Sequence, residues 1–316
     1  MQAGERAGLL GILRQTPRRL ADAVRGVPRA LLVWTPAPGK WSILEIVGHM
    51  RDMERDAYLA RYRAILSGSR PALADIDPDA CAAEGDYRQQ RLSAVLRDWR
   101  RLRQQTVALL DGVGEGQWAL EGVHETDGAL GMETLLARQA RGNDLAHLEQ
   151  IEHVKERHAI LGRLAATPHD LDRVLHGVPD GLLRLRPDPA RWSMLEHLCH
   201  LRDFEQLALE RYSRMSCSEH PKLRTFAPEA LAARRRYADS DPRRVQRDFG
   251  RLRALVLELL HALVPQLWRR KGVHPERGEV SIEQLVAHHV DHDATHLGRL
   301  RSLRAAASDR PAAASE

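Results

Sequence analysis

Four histidines stand close together near the end of the chain, within Ser281–Leu297. His288, His292 and His296 recur at every fourth position, so one face of a helix would carry three imidazoles in a column. A further histidine, His200, lies in the run RWSMLEHLCHLRD, which also has helical periodicity. Because a metal site in a helix bundle needs ligands from separate helices, we predict that His200, His292 and His296 bind a metal.

The spacing leaves some choices open around this predicted site. His288 lies on the same helix face as His296 and could replace it, whereas His289 lies off that face and is expected to be exposed. Asp203 either accepts a hydrogen bond from the ring of His200 or forms a surface pair with a neighbouring arginine. Three neutral imidazoles leave coordination positions open. Zinc is the expected divalent transition metal, with nickel, iron or manganese as alternatives.

The chain is an internal repeat, and this decides the architecture. Three matched pairs of segments carry the repeat, at offsets of 151, 150 and 149 positions: Trp41–Asp52 with Trp192–Asp203, Gly122–His124 with Gly272–His274, and His147–Leu148 with His296–Leu297. So long a match with only two changes of offset indicates a duplication.

Each copy is predicted to contain four helices. The first starts at Thr16-Pro17 or Thr167-Pro168, where threonine would cap the helix and proline would occupy its first turn. The second opens with a capping box, Ser-x-x-Glu, at Ser42 and again at Ser193. Because alternating β-branched residues are scarce, the predicted fold class is all-α: a tandem duplication of a four-helix bundle.

The repeat also sets the expected domain boundaries. We expect an N-terminal bundle in residues 1–165 with a degenerate metal site and a C-terminal bundle in residues 166–305 with the working site. The two bundles are expected to be related by a pseudo-twofold axis. Residues 306–316, which are polar and rich in alanine, are expected to be a disordered tail.

The composition describes a soluble globular protein. Hydrophobic residues make up 43% of the chain and charged residues 29%, and no apolar run approaches the roughly 20 residues of a membrane span. The net charge is +5, but the 44 arginines are interleaved with acids and not with aromatic residues, which argues against nucleic-acid binding. Three cysteines without paired spacing, and an N-terminus without a secretory pattern, predict a cytoplasmic protein.

Three motifs resemble the DinB/YfiT-like superfamily of metalloenzymes: Trp-Ser-x-x-Glu-x-x-x-His, Gly-x-His and His-Asp-x-x-His-Leu. The resemblance extends over residues 10 to 305. It implies a four-helix bundle with a three-histidine metal site, whose ligands match His200, His292 and His296. Members of the family commonly dimerise through their bundles, so the duplicated chain resembles a dimer fused into one polypeptide.

The first repeat departs from the family pattern. Its residues at the three ligand positions are His49, Asn143 and His147. Asparagine is a poor zinc ligand beside two imidazoles, and Gly142 weakens the helix at this point. The first site is therefore expected to be impaired, with one working metal site per chain.

The resemblance implies a metal-dependent enzyme that acts on a small molecule. Some relatives are S-transferases that use a low-molecular-weight thiol, and a metal-dependent hydrolase is the nearest variant. The alternative is a non-catalytic stress-response scaffold or binding protein, in which the metal site is structural or vestigial. The pseudo-dimer within the chain would exist as a monomer or as a homodimer.

Overall fold

A computed structural model of the 316-residue chain describes residues 1–68, 70–77, 80–82 and 85–308. The chain forms two compact units, which are Met1–Glu156 and Arg157–Glu316. Within the described ranges, no helix combines the length and the apolar character that crossing a membrane requires.

The first unit is built mainly from helices. Its helices are α1 (Ala3–Ala23), α2 (Arg29–Leu32), α3 (Ile43–Asp52), α4 (Ala60–Leu66), α5 (Leu92–Asp111), α6 (Met132–Ala137) and the start of α7 (Ala146–Leu175). π-Helical segments at Met53–Leu59 and Arg138–Leu145 join α3 to α4 and α6 to α7. The short strands are β1 (Ala72–Leu73), β2 (Glu121–His124) and β3 (Gly128–Gly131), and 3₁₀ turns lie at Tyr87–Gln89 and Glu115–Ala119.

The second unit repeats this order. After the end of α7 come α8 (Asp180–Arg184), α9 (Met194–Cys217), α10 (Pro228–Arg235), a 3₁₀ turn (Tyr237–Asp239), α11 (Pro242–Ala262), α12 (Pro265–Trp268), strands β4 (Lys271–His274) and β5 (Gly278–Ser281), and α13 (Ile282–Ser308). Residues 306–308 of the predicted tail end the last helix, and residues 309–316 lie outside the described part of the chain.

The capping boxes form as predicted at the start of α3 and α9. In α9, the Ser193 backbone N–H donates to Glu196 Oε2 at 2.8 Å, and Glu196 N–H donates to Ser193 Oγ at 3.3 Å. Ser42 and Glu45 form the same pair of contacts in α3. Each box satisfies two N–H groups that the first turn leaves free, and so fixes where the helix begins.

The predicted helix starts at Thr16-Pro17 and Thr167-Pro168 are wrong, because both prolines lie inside longer helices. Proline has no N–H, so the carbonyl four residues earlier loses its helical partner. A buried arginine supplies a replacement donor in each unit: Arg103 Nη1 donates to the Leu13 carbonyl at 3.2 Å, and Arg253 Nη1 donates to the Leu164 carbonyl at 2.6 Å.

The same arginine joins three helices of the second unit. Arg253 on α11 donates to Glu205 on α9 at 2.9 Å and to Asp293 on α13 at 2.7 Å. His289 Nε2 lies 2.7 Å from Glu205 Oε1. The prediction that His289 is exposed is therefore wrong: its side chain is fully buried because the imidazole completes this cluster.

The first unit contains the matching cluster. Arg103 pairs with Glu54 at 2.7 Å and with Asp144 at 2.5 Å, and all three side chains are buried. Gln139 takes the position of the histidine and donates to Glu54 Oε2 at 2.9 Å. Buried ion pairs need this degree of mutual satisfaction, because an unpaired charge in a core is strongly destabilising.

The π-helical segments account for the changes of offset in the repeat. Residues that make equivalent contacts in both units locate each extra residue of the first unit: Glu54 with Glu205, Tyr62 with Tyr212, Gln139 with His289, and Asp144 with Asp293. The offset falls from 151 to 150 across Met53–Leu59 and from 150 to 149 across Arg138–Leu145. A π-helical turn accommodates one additional residue, and the corresponding segments of α9 and α13 are regular helix.

A β-hairpin precedes the fourth helix of each unit. Strand β4 pairs with β5 from Lys271 opposite Ser281 to His274 opposite Gly278. Gly278 adopts φ +70°, a backbone conformation that favours glycine in a tight turn. The strands are only four residues long, too short for their alternation to be recognised in the sequence.

Candidate metal centre

The three histidines of the predicted site come together in the second unit. His200 on α9 and His292 and His296 on α13 each place one ring nitrogen within 4.8 Å of the others. Nε2 of His200 lies 2.8 Å from Nε2 of His292. The ring centroid of His296 lies 4.6 Å from that of His200 and 4.5 Å from that of His292. The four-residue spacing on α13 produces this proximity, because it stacks side chains one turn apart.

A fourth histidine, which the sequence pattern had not indicated, contacts this group. His197 lies one turn before His200 on α9, and its Nδ1 lies 3.0 Å from Nδ1 of His296. This contact engages Nδ1 of His296 and leaves Nε2 as its free nitrogen. The signal that could have found His197 is a difference between the repeats, because Ile46 occupies the equivalent position of the first repeat.

Aromatic side chains enclose the histidines on their apolar side. Phe204 stacks on His292 with ring centroids 3.8 Å apart, and Trp192 packs against His200 at 5.0 Å. Phe226 lies 5.4 Å from the same His200 ring. These side chains line a cavity of about 1210 Å³, which the histidines also line.

The histidines of the centre are held in the neutral form. Burial, followed by His197, lowers the pKa of His200 to about 4, and burial, followed by His200 and His197, lowers the pKa of His296 to about 3. Burial followed by His296 and His200 lowers the pKa of His292 most strongly. Burial also lowers the pKa of His197 to about 4. Neutral imidazole is the form that binds a metal, so the rings are ready to act as ligands at neutral pH.

The residues that the sequence left open differ in their position. His288 is not part of the close group; its ring centroid lies 6.4 Å from that of His292, and its ring nitrogens lie 3.2 Å from Arg277. Asp203 is buried and accepts hydrogen bonds from Tyr237 Oη and Arg235 Nη1, both at 2.6 Å. It therefore does not orient His200. It pairs with the adjacent Arg202 and with the exposed Arg235, although its own carboxylate is buried.

The profile of the DinB superfamily matches the chain twice, over residues 12–151 and 163–300. The chain belongs to the DinB superfamily. The predicted family and the predicted tandem duplication of a helical bundle are thereby confirmed.

One solved structure to which part of this chain is similar is YfiT from Bacillus subtilis, described as a probable metal-dependent hydrolase with an unusual four-helix bundle topology. It is 19% identical, with a TM-score of 0.45, and the match covers 48% of this chain and 86% of that one. None of the curated proteins matches this chain.

The first DinB unit lacks part of the constellation. His49 and His147 face each other with ring centroids 4.9 Å apart, and Trp41 packs on His49 at 4.6 Å. Asn143 is buried and donates its amide N–H to Asp144 at 3.2 Å. Burial followed by His147 lowers the pKa of His49 to about 4. Two neutral imidazoles remain, but the third is replaced by an amide.

The residues of the second DinB unit fit a transition metal. Nδ1 of His200 and Nδ1 of His292 are buried, with no hydrogen-bond partner among the described residues, while their Nε2 atoms face each other. Two nitrogens bound to one tetrahedral zinc lie about 3.3 Å apart, given bonds of about 2.0–2.1 Å. The observed 2.8 Å between the Nε2 atoms therefore needs only a small opening to admit an ion.

Proposed function

We propose that the second unit is the centre of a metal-dependent enzyme in which His200, His292 and His296 bind one divalent transition metal. The observation that carries this proposal is the convergence of three neutral imidazoles at the wall of a large cavity. A structural zinc site is normally closed by four protein ligands, whereas three ligands facing a cavity leave a position for water or substrate. Zinc is the expected metal, and nickel, iron and manganese accept the same ligands.

The surrounding residues support chemistry at this position. When bound, the metal would act as a Lewis acid and lower the pKa of a water or thiol. His197 holds the ring of His296 in one orientation through their 3.0 Å contact. Phe204 and Trp192 exclude water from one side of the histidines, which strengthens electrostatic interactions in the site.

The size of the cavity favours a reaction with two substrates. Its volume of about 1210 Å³ exceeds the roughly 300–1,000 Å³ of a typical small-molecule pocket. We therefore propose transfer of a low-molecular-weight thiol to an electrophile as the reaction, and hydrolysis as the alternative, since water needs little room. In both reactions the nucleophile is activated next to the three histidines.

Metal analysis of protein purified without a histidine tag tests the site. The wild type is expected to contain one equivalent of a divalent transition metal, and H292A to contain none. The matched control is H288A, on the same helix face but outside the close group, which is expected to keep the metal. Loss of the metal in H288A but not in H296A would mean that His288 replaces His296.

The same preparations test the reaction. Thiol consumption with a soluble electrophile, and ester cleavage without a thiol, should both be measured with wild type and H292A. Activity that disappears in H292A supports the enzyme. A wild type that stays free of metal after zinc and nickel are added would refute it and favour the non-catalytic scaffold.

A further inference from the structure

A buried arginine in the wall of the cavity has no acidic partner. Arg211 on α9 is only 6% exposed, and its Nη2 donates to the Arg224 carbonyl at 2.7 Å. Its Nε is buried and has no hydrogen-bond partner among the described residues. No carboxylate of the described residues lies within ion-pair distance of Arg211, although Glu210 and Glu276 offset part of its charge and Glu276 also lines the cavity. A buried cation normally has a closer partner than this.

A second cation lies in the same part of the cavity. Arg277, in the turn between β4 and β5, lines the cavity, and its side chain contacts His288 and no acid within the described residues. Burial, followed by Arg211 and Arg277, lowers the pKa of His274. The two guanidinium groups therefore both act on this corner of the cavity.

The first unit provides an internal comparison. Arg61, which matches Arg211, makes the same kind of bond, from Nη2 to the Ala74 carbonyl at 2.7 Å. This bond explains why both copies keep the arginine, and it uses only one of the guanidinium nitrogens. Burial lowers the pKa of Arg61, and the nearby acids Asp75 and Asp127 offset part of this effect without forming an ion pair with it.

Both of these acids are missing from the second unit. At the offset of 150, Thr225 stands in place of Asp75, and Arg277 stands in place of Asp127. The ion pair that Asp127 forms with Arg138 is replaced by the contact of Arg277 with His288. At these two positions the unit with the three histidines has a neutral and a basic side chain in place of the acids, whereas Glu210 and Glu276 replace Ala60 and Thr126.

We propose that Arg211 and Arg277 bind the carboxylate or phosphate group of an acidic substrate, whose apolar body lies against Phe204 and Phe226. The inference rests on the proposed function, because it assigns the substrate class of the same cavity. Arginine binds planar oxyanions through two parallel N–H donors, and Arg211 has an Nε donor free for this purpose. The acid group fixes one end of the substrate while its reacting part faces the histidines.

Binding of three related probes to the full-length protein tests this assignment. Phenylacetate, phenyl phosphate and neutral phenylacetamide share one ring and differ in the charged group. Chelator-treated protein is used, so that no metal can bind the acid directly. Calorimetry is expected to give a dissociation constant for at least one acid that is about tenfold or more lower than that for the amide. The tighter of the two acids identifies the group as carboxylate or phosphate.

Variants of the two arginines locate the interaction. R277E is expected to weaken binding of the preferred acid about tenfold or more while leaving the amide unchanged, and R211K, which keeps the charge but loses the forked donor, should weaken it several-fold. The control is R251E, an exposed arginine on α11 outside the cavity, which changes the net charge equally. Equal binding of acids and amide, or equal affinity in R277E and R251E, would overturn the proposal.

The two proposals fail separately. If metal analysis finds no metal but the acid still binds to the chelator-treated protein, the anion site stands and the metalloenzyme does not. If one equivalent of metal is present but acids and amide bind equally, only the anion site is refuted.

Discussion

The two units share a buried framework and differ at the positions that could do chemistry. Each has a buried arginine that pairs with two acids and also satisfies a carbonyl freed by a proline inside a helix. In the second unit, however, three histidines converge beside a fourth, whereas Asn143 and Ile46 stand at two of the equivalent positions in the first. The comparison teaches that the residues that hold the bundle together are separate from those that would bind a metal.

The largest expected effect comes from restoring the missing ligand. N143H should raise the metal content from one to two equivalents per chain. The ring centroids of His49 and His147 already lie 4.9 Å apart, close to the 4.6 Å between those of His200 and His296. Elemental analysis checks this, with N143Q as the control. A content that stays at one equivalent would mean that the first unit differs from the second in more than this side chain.

Removing the shared arginine should destabilise both units equally. R253M leaves Glu205 and Asp293 without their partner, so the free energy of unfolding should fall by about 3–5 kcal/mol. R103M should have the same effect in the first unit, and the exposed R251M should have almost none. Urea unfolding followed by circular dichroism measures the three variants. A much larger loss in one unit would show that the frameworks are not equivalent.

Acid should destabilise the metal-free second unit more than the first. Its buried histidines have folded-state pKa values of about 4 or below, against about 6.5 in the unfolded chain. The unfolded state therefore binds protons first, and stability falls as the pH drops from about 6.5 to 4. The loss should be on the order of several kcal/mol in the second unit, and less in the first, which has only His49 and His147. Hydrogen exchange of α9 and α3 amides at several pH values measures the stability of each unit. If the stability of both units fell equally as the pH drops, the prediction would be contradicted.

The smallest effect is expected from replacing His197, the histidine that contacts His296. H197I introduces the residue of the first unit, and it should lower the metal affinity by about 10–100-fold while one equivalent still binds. Competition with a chelator measures the affinity. H169A, at an exposed position of the same unit, is the control. Wild-type affinity in H197I would show that its contact with His296 does not support the metal site.

The repeat, the helical fold and the grouping of His200, His292 and His296 could be predicted because they depend on regular spacing. The burial of His289 could not, since its partner Arg253 lies 36 residues away and only the folded chain brings them together. The helix start at Thr167-Pro168 was wrong for a similar reason. Local rules favour starting a helix at this pair, whereas in the folded chain a distant guanidinium satisfies the carbonyl that the proline leaves free, and the helix continues.

His197 and the cationic corner of the cavity required comparison of the two copies. Each is an ordinary residue in its own helix or turn, and nothing in the local pattern distinguishes it. The contrast of His197 with Ile46, and of Arg277 with Asp127, becomes meaningful only when the cavity around the second member of each pair is known.

The π-helical segments bear on how the two halves diverged. One residue more in a regular helix would turn every later side chain by about 100° around the axis. Across Arg138–Leu145 the wide turn absorbs that rotation, so Asp144 still reaches Arg103 and His147 still faces His49. The positions that match the three histidines therefore stay together despite the change in length, and at these positions the two halves differ by the identity of a single side chain. A single amino-acid substitution can therefore convert such a position of one half into that of the other.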